Sequence, residues 1–135
     1  HGRVHSNVMR NLKYYLAAAA VASGPAMAHE LTPTYPELTP SYIPGIWSTH
    51  VVLWNARQEI DFYKVNVLDA DMNPVSFIAT GGDLKKVDYL NRAHIEVFVR
   101  EEDKDKATFI CTESKLRRGT VQKSLVASRV CSKIK

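Results

Sequence analysis

The sequence predicts an all-β antiparallel sandwich, and three observations carry that prediction. Apolar and polar residues alternate with a period of two in short runs, and no stretch sustains a helical period of 3.6. The runs are rich in β-branched and aromatic residues. About seven of them recur at spacings of roughly 8–12 residues, separated by clusters of turn formers.

Ahead of these runs lies a different kind of segment. Met9 to Lys13 is a short basic start, "YYLAAAAVA" is an apolar run of nine residues, and Ala26-Met27-Ala28 has the small-x-small form that signal peptidase cleaves. That order describes a secretory signal peptide over residues 9–28, with cleavage before His29. The run is too short for a membrane span, which needs about 20 apolar residues. Residues 1–8, "HGRVHSNV", precede the start and are read as an upstream remnant. Residues 29 to 135 then suffice for one small domain.

Next, "HELTPTYPELTPSYIPG" carries four prolines in 17 residues. Proline lacks a donor and fixes φ, so residues 29–44 read as a proline-rich arm or poor edge strand. The sandwich itself is assigned to residues 45–135. In "IWSTHVVLWN", Trp47, Thr49, Val51 and Leu53 share one face, with Ser48, His50, Val52 and Trp54 on the other. In "FYKVNVLD", Tyr63, Val65 and Val67 oppose Lys64 and Asn66. The turn "DADMNP" leads to a short strand "VSFIAT", ended by Gly81-Gly82. "LKKVDYL" is ambiguous. "AHIEVFVR" sets Ala93, Ile95, Val97 and Val99 against His94, Glu96, Phe98 and Arg100. A charged corner "EEDKDK" precedes "ATFICT", and a loop with Arg117, Arg118 and Gly119 leads to a last strand within "SLVASRVCSKI".

Charge narrows the function classes. The chain has 18 basic and 14 acidic residues, a formal +4. Arg3, Arg10 and Lys13 leave with the leader, so the exported part is nearly balanced. From Thr112 to Lys135 there are seven basic residues and one acid, Glu113. No aromatic side chain is interleaved with them, as single-strand nucleic-acid binders require, so the tail reads as a solvated hairpin and no nucleic-acid partner is expected. Export to an oxidising compartment with only two cysteines predicts a bridge between Cys111 and Cys131, stapling the last two strands.

One motif carries a resemblance. "DKATFIC", Asp105 to Cys111, resembles the segment around the second cysteine of immunoglobulin domains, D-x-A-x-Y-x-C. Asp105, Ala107 and Cys111 match it. Phe109 stands where the corner tyrosine belongs, and no cysteine lies upstream. The resemblance implies an immunoglobulin-like sandwich without the inter-sheet disulfide or the tyrosine-corner hydrogen bond. "FYKVNVLDADMNPV" resembles the Y-x-V-x-V-x-D-x-x-x-x-P hairpin in the first domain of periplasmic pilus chaperones and in small exported immunoglobulin-like proteins. Those chaperones also use a second domain and an anchoring Arg/Lys pair. The leader with "HELTPTYPELTPSY" is similar to small exported proteins of tailed marine bacteriophages, a likeness that implies no activity.

The candidate chemistry is sparse. "DADMN" matches half of a calcium loop, but Pro74 and Thr80 stand where its glycine and bidentate glutamate belong. There is no nucleophile elbow and no phosphate-cradling glycine loop. Trp47, Trp54, Tyr63 and Phe98 could form a sugar platform, but in a small domain they are expected to supply the core. Cleavage before His29 would free an α-amine beside an imidazole, and with His50 or His94 this gives a three-nitrogen copper site. The leading expectation is an exported, non-catalytic structural or protein-binding domain, in an envelope, the periplasm or a phage context. Its partner would be another protein, met through the arm and the sheet edge beside it by Tyr35, Pro36, Pro40 and Tyr42. The alternative is a periplasmic copper-binding protein built on His29, His50 and His94.

Overall fold

A computed structural model describes residues 29–115 and 128–135. The leader assigned to residues 9–28, the remnant 1–8 and the loop with Arg117, Arg118 and Gly119 lie outside them. Among the described residues, nine strands form two antiparallel sheets, in chain order β1 (His29–Thr32), β2 (Thr39–Pro40), β3 (Ile46–Asn55), β4 (Phe62–Leu68), β5 (Ile78–Ala79), β6 (Leu84–Lys86), β7 (Arg92–Arg100), β8 (Phe109–Lys115) and β9 (Arg129–Lys133). The first sheet runs β1-β3-β7-β5 with β2 beside β3, and the second runs β6-β4-β8-β9.

The alternation in the sequence decides which face each strand buries. Val51 and Leu53 from β3, Val65 and Val67 from β4, and Ile95 and Val97 from β7 are at most 1% exposed and meet between the sheets. Ile110 of β8 joins them. Fully burying one such side chain contributes about 1.5–3 kcal/mol. One slip of register would turn each set to solvent, so the pattern also fixes the pairing. The "VSFIAT" segment contributes only the two-residue β5, and the ambiguous "LKKVDYL" supplies the three-residue β6.

The proline-rich arm is part of the sandwich. β1 pairs with β3 from His29↔Asn55 to Thr32↔Val52, and β2 returns to the same strand at Thr39↔Ser48. Between them the chain crosses to the second sheet, where Lys133 and Lys135 donate backbone N–H groups to the carbonyls of Thr34 and Pro36, each at 2.9 Å. The Ser132 hydroxyl adds a bond to the Pro33 carbonyl at 2.8 Å. The arm enters β3 through a turn in which Ile46 N–H meets the Ile43 carbonyl at 3.1 Å. Pro44 pre-sets the first central angle of that turn, and Gly45, at φ 80°, supplies the positive one.

Polar side chains hold the two sheets to each other where an inter-sheet disulfide is absent. Tyr63 of β4 is fully buried, and its hydroxyl donates to Asn55 Oδ1 of β3. The Asn55 amide in turn donates to the carbonyls of Ile60 and Val87, each at 2.7 Å. Burial pushes the Tyr63 phenol up to about 12, so it stays a donor. The charged corner is also knitted inward. Asp103, only 6% exposed, accepts from Arg100 at 2.9 Å and pairs with Lys106 at 3.5 Å. Asp105, the motif residue, has a side chain 93% exposed. The motif match therefore does not mark a buried acid at its own position.

Candidate functional site

The disulfide is formed. Cys111 and Cys131 face each other across β8 and β9, with Cα atoms 4.1 Å apart. Such close opposition belongs to the narrow pairs of an antiparallel ladder. The bridge staples neighbouring strands of one sheet, at the edge carrying the basic residues Arg129 and Lys133.

His29, His50 and His94 do not come together. His29 is 2% exposed and points between the sheets. Its Nε2 lies 2.9 Å from the Thr112 hydroxyl and 3.2 Å from the Thr112 carbonyl, and its Nδ1 lies 3.0 Å from the Ser128 hydroxyl. A neutral imidazole with its proton on Nε2 satisfies both sides, donating to Thr112 and accepting from Ser128. Burial holds its pKa below the ordinary 6.5. The bond to the Thr112 carbonyl partly offsets this, and the charge of Arg57 adds to it. His50 and His94 stand on the outer face of the first sheet, away from the core. The reason is alternation: position 29 pairs with Asn55 on the inward phase of β3, while His50 occupies the outward phase. The three-nitrogen site expected from the sequence is therefore not assembled.

The outward pair does meet. His50 Nε2 is 3.1 Å from His94 Nδ1, and His50 Nδ1 is 3.2 Å from Glu96 Oε1. Among the described residues, no set of three His, Cys, Asp or Glu side chains is gathered for a metal ion. In the "DADMN" turn, Asp69 Oδ1 accepts from the backbone N–H groups of Asp71 and Asn73 at 2.9 Å each, so this carboxylate is spent on shaping the turn.

The four arm residues expected to meet a partner divide. Tyr42 is 91% and Tyr35 60% exposed, and Pro40 sits exposed on β2. Pro36 is fully buried, which corrects its assignment: its carbonyl is held by the Lys135 N–H where the arm meets the second sheet, and it has no surface left for a partner. The aromatic residues divide in the same way. Tyr63 belongs to the core and Trp47 packs against it. Trp54 and Phe98, expected inside, lie on the outward phase of β3 and β7. Arg92 covers the Trp54 ring at 4.6 Å from its centroid.

Phe98 leads to a feature that no sequence motif marks. It lines an apolar hollow of about 410 Å³ together with Ile43, Ile46, Phe77 and Ile78, rimmed by Arg100. Ile78 is 70% and Ile43 45% exposed. The hollow opens beside the far edge of the first sheet. There β5 meets β7 only opposite Phe98 and Val97, followed by one bond from Thr80 N–H to the Glu96 carbonyl at 3.0 Å. The signal was present in the sequence: Phe98 falls on the phase of β7 that also holds His94 and Glu96.

No protein-family model matches the chain, and no curated protein matches its sequence. Solved structures share its fold. The E. coli chaperone DraB superposes with a TM-score of 0.58 at 17% identity, over 78% of this chain and 52% of DraB. A chain from the complex of the Salmonella enterica SafA pilin with the SafB chaperone gives 0.57 at 12% identity, over 83% of this chain and 55% of that one. The chain thus spans about half the length of these neighbours, and its likeness to the first domain of pilus chaperones is one of fold.

Proposed function

We propose that this chain is an exported, non-catalytic protein-binding domain that engages its partner at the open edge of the first sheet, beside the tip of the arm. The hollow lined by Ile43, Ile46, Phe77, Ile78 and Phe98 is the observation that supports this reading most strongly. It combines exposed apolar surface with a strand edge covered over a short length, and the two together suit an extended partner segment. Main-chain bonds to the edge would supply affinity, and alternate side chains in the hollow would supply specificity. Tyr42, rigid and 91% exposed beside it, offers contact area at low entropic cost. The neighbours DraB and SafB are chaperones, SafB in complex with a pilin, so a sandwich of this kind is compatible with protein recognition. Export to the periplasm or beyond rests on the leader pattern of residues 9–28 and on the disulfide.

Site-specific photocrosslinking in the native host tests the assignment. A photoreactive residue at Tyr42 or Ile78 is expected to give one discrete protein adduct, whereas one at Tyr89, also exposed but on the loop between β6 and β7, is expected to give none. The same adduct from all three positions, or from Tyr89 alone, refutes the placement.

A further inference from the structure

We infer that His50 and His94 form a surface site for a late first-row divalent metal ion, Cu(II) above the others, with Glu96 orienting His50 from behind. This inference is independent of the protein-binding reading.

Register brings the residues together. His50 lies directly opposite Glu96, and His94 opposite Val52, so His94 is the diagonal neighbour of His50 on the same outward face. The two facing nitrogens, His50 Nε2 and His94 Nδ1, are 3.1 Å apart. An ion about 2.0 Å from each would see them at an angle of about 100°, between the square-planar and tetrahedral values. The side chains are 48% exposed at His50 and 38% at Glu96, so the remaining coordination positions open to water or to a donor from another molecule.

The protons are arranged for binding. With Glu96 ionised, the 3.2 Å contact to Oε1 puts a proton on His50 Nδ1 and leaves Nε2 as a lone pair. Without metal, that lone pair accepts from His94 Nδ1–H. Binding requires that His94 Nδ1 give up this proton, its own Nε2 being the site that can carry it instead. The Glu96 backbone is anchored, since its N–H donates to Thr80 Oγ1 and its carbonyl accepts from Thr80 N–H, each at 3.0 Å. Imidazole ligands suit Cu(II), Ni(II) and Zn(II), and the general affinity order places Cu(II) highest. His29 takes no part, because it lies on the inward face with both nitrogens engaged.

The test is a Cu(II) titration of the full chain by amide NMR, carried out in a His1→Ala/His5→Ala background because those two imidazoles compete for the ion. Paramagnetic broadening is expected to centre on residues 50–52 and 94–96 at one equivalent. Glu96→Gln is expected to weaken binding by about tenfold, and His50→Gln or His94→Gln by more. Unchanged shifts of the core amides of Val65 and Ile110 show that each variant is folded. Sharp signals around positions 50 and 94 at one equivalent, or isotherms unaffected by these substitutions, overturn the site. Zn(II) binding as tightly as Cu(II) overturns the choice of ion.

Discussion

At the edge shared by β1 and β9 the chain covers itself, with the arm bonded to β3 on one side and accepting from Lys133 and Lys135 on the other. At the edge of the nine-residue β7, cover shrinks to the two residues of β5, and an apolar hollow opens beside it. The difference shows what the prolines do. A segment that covers an edge must accept hydrogen bonds from it, and Thr34 and Pro36 accept through their carbonyls. It should also offer few donors on its outward side, and Pro33 and Pro36 have none to offer. The arm therefore ends the sandwich on that side.

Leu31, 6% exposed on β1, anchors the arm to the core. Leu31→Ala is expected to destabilise by about 2–5 kcal/mol, read as a fall in denaturation midpoint. A change below about 0.5 kcal/mol would show that the arm contributes little to the fold. Reducing the Cys111–Cys131 bridge, which closes a sequence separation of 20, is expected to remove about 3 kcal/mol. Denaturation with and without reductant measures it, and coincident curves would contradict the staple.

Much of the fold was legible in the sequence because alternation is a local signal. The inward sets on β3, β4 and β7 are those the period of two selects, and the two-cysteine count found the bridge. The arm was legible only in part. Proline excluded a central strand, but the crossing from β3 to β9 depends on partners nearly a hundred positions away. Pro36 was misassigned for that reason. Trp54 and Phe98 were placed inside by size, against the phase of their own strands, and their phase decided the outcome. His29 was read as a mature terminus, yet its environment is set by Thr112 and Ser128, which no local pattern links to it. The hollow joins Ile43, Ile78 and Phe98 from three separate segments, and only the folded topology brings them together.

His29 makes the closed edge sensitive to pH. Burial lowers its pKa below 6.5 in the folded chain, so as pH falls the unfolded chain binds the proton first. Stability contributed by the neutral imidazole is complete above 6.5 and declines as pH drops through that value. The slope is at most about 1.4 kcal/mol per pH unit for one proton. Melting temperature measured from pH 8 to pH 5 is expected to fall below 6.5 in the parent chain and to fall less in His29→Gln. An identical slope in both would assign the pH dependence to other groups.

The smallest expected effect on stability lies at the open edge, and it separates recognition from architecture. Ile78 is 70% exposed, so Ile78→Lys leaves its outward side chain in water and removes little contact from the core. Its backbone pairing with Phe98 does not depend on the side chain. The expected change in stability is within about 0.5 kcal/mol, the range of surface substitutions. A lysine beside the hollow, however, sets a charge where a partner's apolar side chain would enter, and burying that charge without a counter-ion is unfavourable. The Tyr42 photoadduct is therefore expected to disappear while the melting temperature holds. Loss of both would make β5 a structural element and return the open edge to the same class as the closed one. An adduct that survives the lysine would move the contact away from the hollow, onto Tyr42 and the arm tip alone.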